Sequence, residues 1–343
     1  MGFCAAAKLA RCSALWLGCW GLPATNRSLP SLSAFHAVTG LVLGMAHILP
    51  YPSMSLPAAQ LLDWYERAKR DLPWRRPGVT PWQILVSEFM LQQTPVARVI
   101  PVWQDWVVRW PTASATAAAS AADVLRAWGK LGYPRRAKRL HECATVIARD
   151  HADVVPDDVD TLLTLPGVGG YTARAVACFA YQKPVPVVDT NVRRVVARVV
   201  RGRADAAAPS AARDHADVAA LLPKDQRAHR FSAALMELGA TVCTARNPRC
   251  GLCPLPECAW RRAGYPASQG FKRVQTYAGT DRQVRGCLLD VLRARDCPAT
   301  KAELDVAWLS DSQQRERALS SLLADGLVTR TADGRYALAG EAP

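Results

Sequence analysis

Four of the eleven cysteines in this 343-residue chain lie within sixteen residues of each other, and no other feature constrains the fold as strongly. Their spacing is Cys243-x6-Cys250-x2-Cys253-x4-Cys258. Four thiolates at this density can hold zinc or an iron–sulfur cluster, and the spacing alone leaves both open. The other seven cysteines are scattered without a disulfide framework, which argues against a secreted protein. We therefore predict a metal-binding loop over residues 243–258.

The charge balance favours a polyanionic partner. Lys and Arg number 43 against 29 Asp and Glu, which leaves a net charge of +14 at pH 7. Residues 63–280 hold 31 of the basic and 19 of the acidic residues, whereas residues 281–343 hold nine and ten. Half of the chain is apolar, which excludes intrinsic disorder. A nucleic acid is therefore expected to bind mainly to the middle of the chain.

The N-terminal stretch is expected to lie apart from the folded body. A basic segment followed by the apolar run Ala14–Leu22 superficially resembles a secretory signal. No run reaches about 18 uninterrupted apolar residues, so no membrane span is predicted. We expect a non-globular extension over residues 1–54, with residues 1–44 outside the folded protein and Met45 a candidate initiator.

Helical periodicity dominates the rest, and convincing strand alternation is missing before residue 327. The sequence predicts an all-α body over residues 55–264. A linker rich in Gly, Pro, Ser and Gln is predicted over 265–280. Residues 281–340 are predicted to form a small winged-helix-like domain, because three helical segments are followed by a hairpin pattern.

The string Leu165-Pro-Gly-Val-Gly-Gly-Tyr-Thr-Ala173 joins two predicted helices. Gly167 and Gly169 permit a tight turn whose amides point outward at a helix N-terminus, a site suited to phosphate. A bare Gly-x-Gly would be better explained as an ordinary helix–helix turn. The wider string, however, resembles the helix-hairpin-helix of DNA repair glycosylases, whose backbone grips a DNA phosphate without reading sequence.

The resemblance extends to two further elements. Asp189 begins a predicted helix, where the helix dipole favours its ionised form, although a plain N-cap is the commoner role for such an Asp. In glycosylases of this kind an Asp at this distance from the hairpin lies at the active site. The cysteine cluster resembles the family's [4Fe–4S] loop, with four rather than five residues in its last interval. It is interpreted as a structural cross-link that shapes a DNA-binding loop.

Two related families share these elements, and two positions choose between them. Bifunctional enzymes of the endonuclease III type carry a Lys two residues after the second glycine of the hairpin, where this chain has Tyr171. The string Ser87-Glu-Phe-Met-Leu-Gln-Gln-Thr94 is similar to the signature of the adenine DNA glycosylases. These enzymes remove adenine mispaired with guanine or 8-oxoguanine, and the resemblance covers residues 60–262. The alternatives are a bifunctional glycosylase/lyase and a redox- or metal-sensing DNA-binding protein.

The implied chemistry needs two carboxyl groups in opposite protonation states. Glu88 lies among apolar residues, where desolvation is expected to raise its pKa so that it can protonate the leaving purine. Asp189, kept ionised, would stabilise the oxocarbenium-like sugar. The resemblance implies that Tyr171 and Asn191 orient these groups and the attacking water.

The resemblance also implies binding roles. The residues implied to line the pocket of the flipped adenine are Arg70, Leu72, Trp74, Arg75 and Glu237. The residues implied to contact the opposite strand and its base are Gln93, Thr94, Leu131 and Tyr133. The residues expected to contact the DNA backbone are Gly167, Gly169, Arg193, Arg246 and Arg249. The expected ligands of the [4Fe–4S] cluster are Cys243, Cys250, Cys253 and Cys258.

Three further expectations concern partners and the C-terminal domain. A basic run from Lys130 to Arg139 is expected to lie along phosphates, with a solvated helix face as the alternative. The near-neutral domain 281–340 fits a docking module better than a base reader, so discrimination of 8-oxoguanine would depend on the catalytic body. The expected partner is duplex DNA with an A:8-oxoguanine or A:G mispair, bound by a cytoplasmic, nucleoid-associated monomer.

Overall fold

A computed structural model of the protein describes residues 56–268 and 277–341. The expected N-terminal extension, Met45 and the linker residues 269–276 lie outside the described residues. Within the described ranges, no helix is long and apolar enough to cross a membrane.

The body is built from helices, as the periodicity predicts. Their bounds are α1 Ala58–Ala68, α2 Pro81–Leu91, α3 Val96–Arg109, α4 Ala113–Ala118, α5 Ala121–Trp128, α6 Arg135–Asp150, α7 Val159–Thr164, α8 Gly170–Tyr181, α9 Thr190–Val199, α10 Ala211–Ala219, α11 Ala228–Thr241 and α12 Ala259–Arg262. Short 3₁₀ turns occupy Pro73–Arg75, Gly129–Leu131 and Cys250–Leu252.

Local chemistry sets where the helices that carry the site begin. Thr80 and Gln83 form a reciprocal capping box at the start of α2, and Pro81 occupies its first position. Asp189 caps α9 by accepting a hydrogen bond from the Val192 amide. These caps define the register of the two helices that hold the predicted acid and anion.

Two apolar clusters form most of the buried core. The larger surrounds α2 and contains fully buried Phe89, Trp106 and Trp128. The smaller joins α1, α9 and α11 through residues such as Leu61, Val195 and Leu235. Helix α2 is buried on nearly all sides, and the candidate site lies where it meets elements of the second cluster.

The C-terminal module contains three helices and a two-stranded antiparallel hairpin, as predicted. Its elements are α13 Asp281–Arg293, α14 Lys301–Asp305, α15 Ser312–Ala324, β1 Val328–Arg330 and β2 Tyr336–Leu338. Val328 pairs with Leu338 and Arg330 with Tyr336. Its apolar residues belong to the same buried cluster as Trp106 and Trp128 of the body.

Polar contacts also join the module to the body. Arg293 Nε donates to the carbonyl of Leu125 at 3.1 Å, and Arg126 pairs with Glu341. The module is therefore packed firmly onto α5 rather than held only by its linker.

Candidate active site

Glu88 lies on the buried helix α2 and has the electrostatics of a neutral acid. Its side chain is 6% exposed, and burial raises its pKa to about 7. A hydrogen bond from Tyr171 opposes that shift, and the nearby Asp189 carboxylate reinforces it. Glu88 Oε2 has no hydrogen-bond partner among the described residues. Glu88 therefore has a carboxyl group that carries a proton near neutral pH and one oxygen without a protein partner.

Asp189 at the start of α9 is held by two donors. Its Oδ1 accepts from the Val192 amide and its Oδ2 from the Asn191 side-chain amide, each at 2.7 Å. The two hydrogen bonds fix the orientation of the carboxylate. Asn191 is held in turn by Arg194, whose Nη2 donates to Asn191 Oδ1 at 2.8 Å.

Tyr171, near the beginning of α8, lies close to both carboxyl groups. Burial raises the pKa of Tyr171 well above its ordinary value of 10, and the Glu88 carboxyl adds to the shift. The phenol is therefore neutral and acts as a hydrogen-bond donor. It offers no amine for Schiff-base chemistry.

A cavity of about 590 Å³ contains these groups. The predicted residues that line it are Arg70, Leu72, Trp74, Arg75, Glu88, Thr94, Tyr171, Asp189 and Asn191. Leu72 and Trp74 are buried and form an apolar wall, and the volume suits a small ligand such as a nucleobase.

Glu237 does not form part of the wall, contrary to its expected role. Its side chain is fully buried and accepts from Arg70 Nε at 2.6 Å and from Arg75 Nη1 at 2.9 Å. Burial alone would raise the pKa of Glu237, but the two guanidinium groups keep it below its ordinary value. Glu237 therefore positions two arginines that do line the cavity.

The residues expected to face the opposite strand divide between two cavities. Thr94 lines the first cavity, whereas Gln93, Leu131 and Tyr133 line a second cleft. Gln93 and Tyr133 have positive φ angles of 55° and 49°, and Tyr133 is 37% exposed. Both residues thus project from tight turns, where left-handed backbone is costly for a side chain.

Two members of the basic run, Arg136 and Lys138, are engaged within the protein and do not support its interpretation as a phosphate-binding surface, whereas Lys130, Arg135 and Arg139 remain exposed. Arg136 donates to the carbonyls of Phe89, Met90 and Gln92 at 2.5–3.0 Å and thereby satisfies the C-terminal end of α2. Arg135 pairs with Asp325, and Lys138 donates to the Asp325 carbonyl at 3.1 Å.

The hairpin presents an open helix N-terminus. Gly167 has φ +78°, and a Cβ there would lie 2.7 Å from Arg139 Cβ and 2.9 Å from Phe89 Cε1. Gly169 precedes α8, is exposed and provides no side-chain cap. The first amides of α8 have no intrahelical partner, so they can meet a phosphate.

The cysteine loop has suitable donors for an iron–sulfur cluster. Cys243, Cys250, Cys253 and Cys258 are all partly buried and none forms a disulfide. Arg198 directs Nη1 to Cys243 Sγ at 3.5 Å. Thiolates are the ligands that iron–sulfur clusters use. Burial raises the pKa of the Cys243 thiol, and the Arg198 guanidinium opposes that rise. Within the described ranges, no three His, Cys, Asp or Glu side chains are close enough to hold a single metal ion.

The arginines expected at the DNA backbone differ in their surroundings. Arg246 and Arg249 are exposed in the cysteine loop. Arg193 instead pairs with Asp214 at 2.8 Å and donates to the Ala207 carbonyl at 2.7 Å, so its charge is already balanced within the protein. This arrangement does not support a phosphate contact from Arg193.

Sequence reasoning missed Arg194 and Arg198 as supporting residues. Arg198 is 4% exposed and donates to the carbonyls of Ala204 and Thr244. Arg194 joins Asn191 to the carbonyls of Gly239 and Cys243. Their spacing of four along α9 was the available signal, because it places both on one helical face.

Two family models match the chain. That of the HhH-GPD superfamily base excision DNA repair protein matches residues 86–218, and that of the iron-sulfur binding domain of endonuclease III matches residues 243–255. The fold and the site thus define a helix-hairpin-helix base-excision DNA repair protein with an iron–sulfur loop.

Similarity to curated proteins is high and covers most of the chain. The chain is 75% identical over 302 residues to the adenine DNA glycosylase of Mycobacterium tuberculosis, covering 87% of this chain and 99% of that protein. It is 73% identical over 288 residues to the adenine DNA glycosylase of Mycolicibacterium smegmatis, covering 84% and 98%. The chain belongs to the adenine DNA glycosylase family, and it is an enzyme that acts on N-glycosyl bonds in DNA repair.

A solved structure agrees with this fold. A thermostable thymine-DNA glycosylase matches with a TM-score of 0.54 and 27% identity, over 60% of this chain and 95% of that one. The predicted family, the helical fold and the [4Fe–4S] cofactor are confirmed.

Proposed function

We propose that this enzyme hydrolyses the N-glycosidic bond of adenine mispaired with 8-oxoguanine or guanine and leaves the DNA strand intact. The observation that carries the proposal is the presence in one cavity of two carboxyl groups with different surroundings. Glu88 has a pKa of about 7, and Asp189 is held by two hydrogen-bond donors. In such a pair one carboxyl group serves as the acid and the other as the anion.

Glu88 is the proposed general acid. Its proton passes to N7 of the flipped adenine, the bond between the sugar C1′ and N9 breaks with its electrons going to the purine, and adenine leaves as a neutral base. Water then attacks C1′ and gives up a proton to the Glu88 carboxylate, which restores the acid.

Asp189 is the proposed stabiliser of the cationic sugar. Its carboxylate is fixed by Asn191 and the Val192 amide, so little reorganisation is needed when positive charge develops. Cys243, Cys250, Cys253 and Cys258 would hold the [4Fe–4S] cluster, which would cross-link the loop that follows α11. Arg194 connects that loop to Asn191.

The absence of an amine nucleophile supports hydrolysis over lyase chemistry. Tyr171 occupies the position at which bifunctional enzymes carry a lysine, and no lysine is among the described residues that line the cavity. A Schiff base at the sugar needs such an amine.

The proposed substrate is duplex DNA, and the proposed working form is a cytoplasmic, nucleoid-associated monomer. The hairpin amides, together with exposed Arg246 and Arg249, would meet the DNA backbone. Size-exclusion chromatography coupled to light scattering tests the monomer, because a dimer would double the mass.

Base release from four duplexes tests the activity. The duplexes carry adenine opposite 8-oxoguanine, guanine, cytosine or thymine, and free adenine is measured under single-turnover conditions. Release from the first two, with little from the A:T duplex, is expected. Equal release from all four would contradict the proposed mispair specificity.

A further inference from the structure

Arg198, in the last turn of α9, is a buried cation that no carboxylate balances. The residue is 4% exposed, and within the described ranges no Asp or Glu forms an ion pair with its guanidinium. A buried charge is costly unless a negative group lies close to it. The surroundings of Arg198 should therefore include another source of negative charge.

The acceptors of the Arg198 guanidinium lie at the beginning of the cysteine loop. Nη1 donates to the carbonyl of Thr244 at 2.7 Å and is directed at Cys243 Sγ at 3.5 Å. Nη2 donates to the carbonyl of Ala245 at 3.4 Å, and Nε to that of Ala204 at 2.9 Å. All three nitrogens are engaged, so the guanidinium has one orientation, with the first cysteine of the loop beside it.

The end of the same loop also reaches Arg198. Cys258 Sγ lies 3.6 Å from the main-chain carbonyl oxygen of Arg198. The ring centroid of Trp260 lies 4.6 Å from the guanidinium, a distance that fits a cation–π contact. Trp260 is held in turn by a hydrogen bond of 2.9 Å from its Nε1 to the carbonyl of Pro266. One residue of α9 therefore contacts both the first and the last cysteine of the loop.

We propose that Arg198 is a positioning residue for the [4Fe–4S] cluster. It would join the two ends of the cysteine loop to α9 and balance the charge of the bound cluster, and Trp260 would cover it from solvent. A [4Fe–4S] core held by four thiolates has a net negative charge, and neighbouring charges and solvent exposure set its reduction potential. The proposal depends on the cofactor of the family and not on the proposed mispair specificity.

The full-length protein with its cluster bound is used for the test. Arg198→Met removes the charge and the hydrogen bonds, whereas Arg198→Lys keeps the charge. Trp260→Leu removes the cover and leaves the hydrogen bonds of Arg198 in place. Arg262→Met is the matched control, because Arg262 lies on the same short helix as Trp260 but is exposed and paired with Glu257.

Three properties are measured, none of which involves adenine release. They are the iron content per protein, the rate at which the visible absorbance of the cluster is lost in ferricyanide with an iron chelator, and the reduction potential by voltammetry without DNA. Melting curves check that each variant is folded.

Arg198→Met is expected to lose its cluster about tenfold faster than the parent protein. Its reduction potential should also be lower, because a nearby positive charge favours the reduced, more negative cluster. Arg198→Lys should keep the potential of the parent but lose the cluster faster, since an ammonium cannot reproduce the fork to the Thr244 and Ala245 carbonyls. Trp260→Leu should accelerate the loss by a smaller factor, and Arg262→Met should behave as the parent.

A folded Arg198→Met protein with the iron content, loss rate and potential of the parent would overturn the proposal. Faster loss at an unchanged potential would overturn the charge-balancing role, and equal acceleration in Arg262→Met would overturn the specific role of Arg198. If Arg198→Met does not fold, Arg198→Lys and Trp260→Leu decide, and parental loss rates in both would overturn the proposal. Failure of the proposed function is distinguishable, because it would change adenine release and leave these three measurements as they are.

Discussion

The Asn191 side chain donates a hydrogen bond of 2.7 Å to Asp189 and accepts one of 2.8 Å from Arg194. Arg194 also donates to the carbonyl of Cys243, the first ligand in the iron–sulfur loop. A short chain of hydrogen bonds therefore connects the cofactor loop to the anionic side of the active site. A change in the loop can therefore displace Asp189 through these hydrogen bonds, without any contact between the loop and the substrate.

Glu88→Gln is expected to reduce adenine release by a factor of about 10² to 10⁴, because only the proton donor is lost. Binding to an A:8-oxoguanine duplex should stay nearly unchanged. Single-turnover base release and a binding titration measure the two effects. Turnover in the variant comparable with that of the parent enzyme would exclude Glu88 as the acid.

The rate of adenine release should fall with rising pH through about 7. The acid must be protonated, and the pKa of Glu88 is about 7, so the rate is full below that pH and drops about tenfold per pH unit above it. A pH profile of the single-turnover rate checks this. A profile that stays flat to pH 9 would contradict the role.

Asp189→Asn should be severely impaired, with a loss of several kcal/mol of transition-state stabilisation, roughly 10²-fold or more. Asn191→Ala should lose less, because Asp189 keeps its bond from the Val192 amide. Base-release rates measure both. If Asn191→Ala lost more activity than Asp189→Asn, the anionic role would belong to a residue other than Asp189.

The product should be an intact abasic site, with strand breaks only after alkali. Tyr171 has a phenol and no amine, so it cannot form a Schiff base with the sugar. Burial raises the pKa of this phenol and keeps it neutral. Gel analysis with and without alkali, together with borohydride trapping, gives the measurement. Efficient trapping of a covalent complex would place the enzyme in the bifunctional class.

Glu237→Gln should destabilise the fold by about 1–3 kcal/mol and weaken substrate binding, since Arg70 and Arg75 lose their shared carboxylate. Both arginines are partly exposed, so water can solvate them and limit the loss. Glu66→Gln is the matched control: it removes an exposed carboxylate and should cost under about 1 kcal/mol. Urea unfolding compares the two, and equal losses would contradict the buried role.

The pKa shift of Glu237 implies that this contribution depends on pH. Its pKa is lowered in the folded state, so the stabilisation is present above its ordinary value of 4.5 and is lost as the pH falls below it. The stability difference between parent and Glu237→Gln should therefore shrink in acid.

Much of the site could be predicted because its signals are local. The turn at Gly167, the cap at Asp189 and the apolar surroundings of Glu88 follow from short stretches of chain, and the structure places them as expected. The partners of charged groups could not be predicted. Glu237 meets Arg70 across 167 residues, and Arg136 reaches the end of α2 across more than 40.

The sequence by itself determined the helical body, the hairpin, the cysteine loop and the residue types of the acid and the anion, because periodicity, glycine positions and capping act over a few residues. Only the tertiary structure decided which charges are buried in pairs and which remain at the surface. It also placed α13 beside Tyr133. The reason is physical: an ion pair depends on distance and burial in three dimensions, and a pattern of charges along the chain specifies neither.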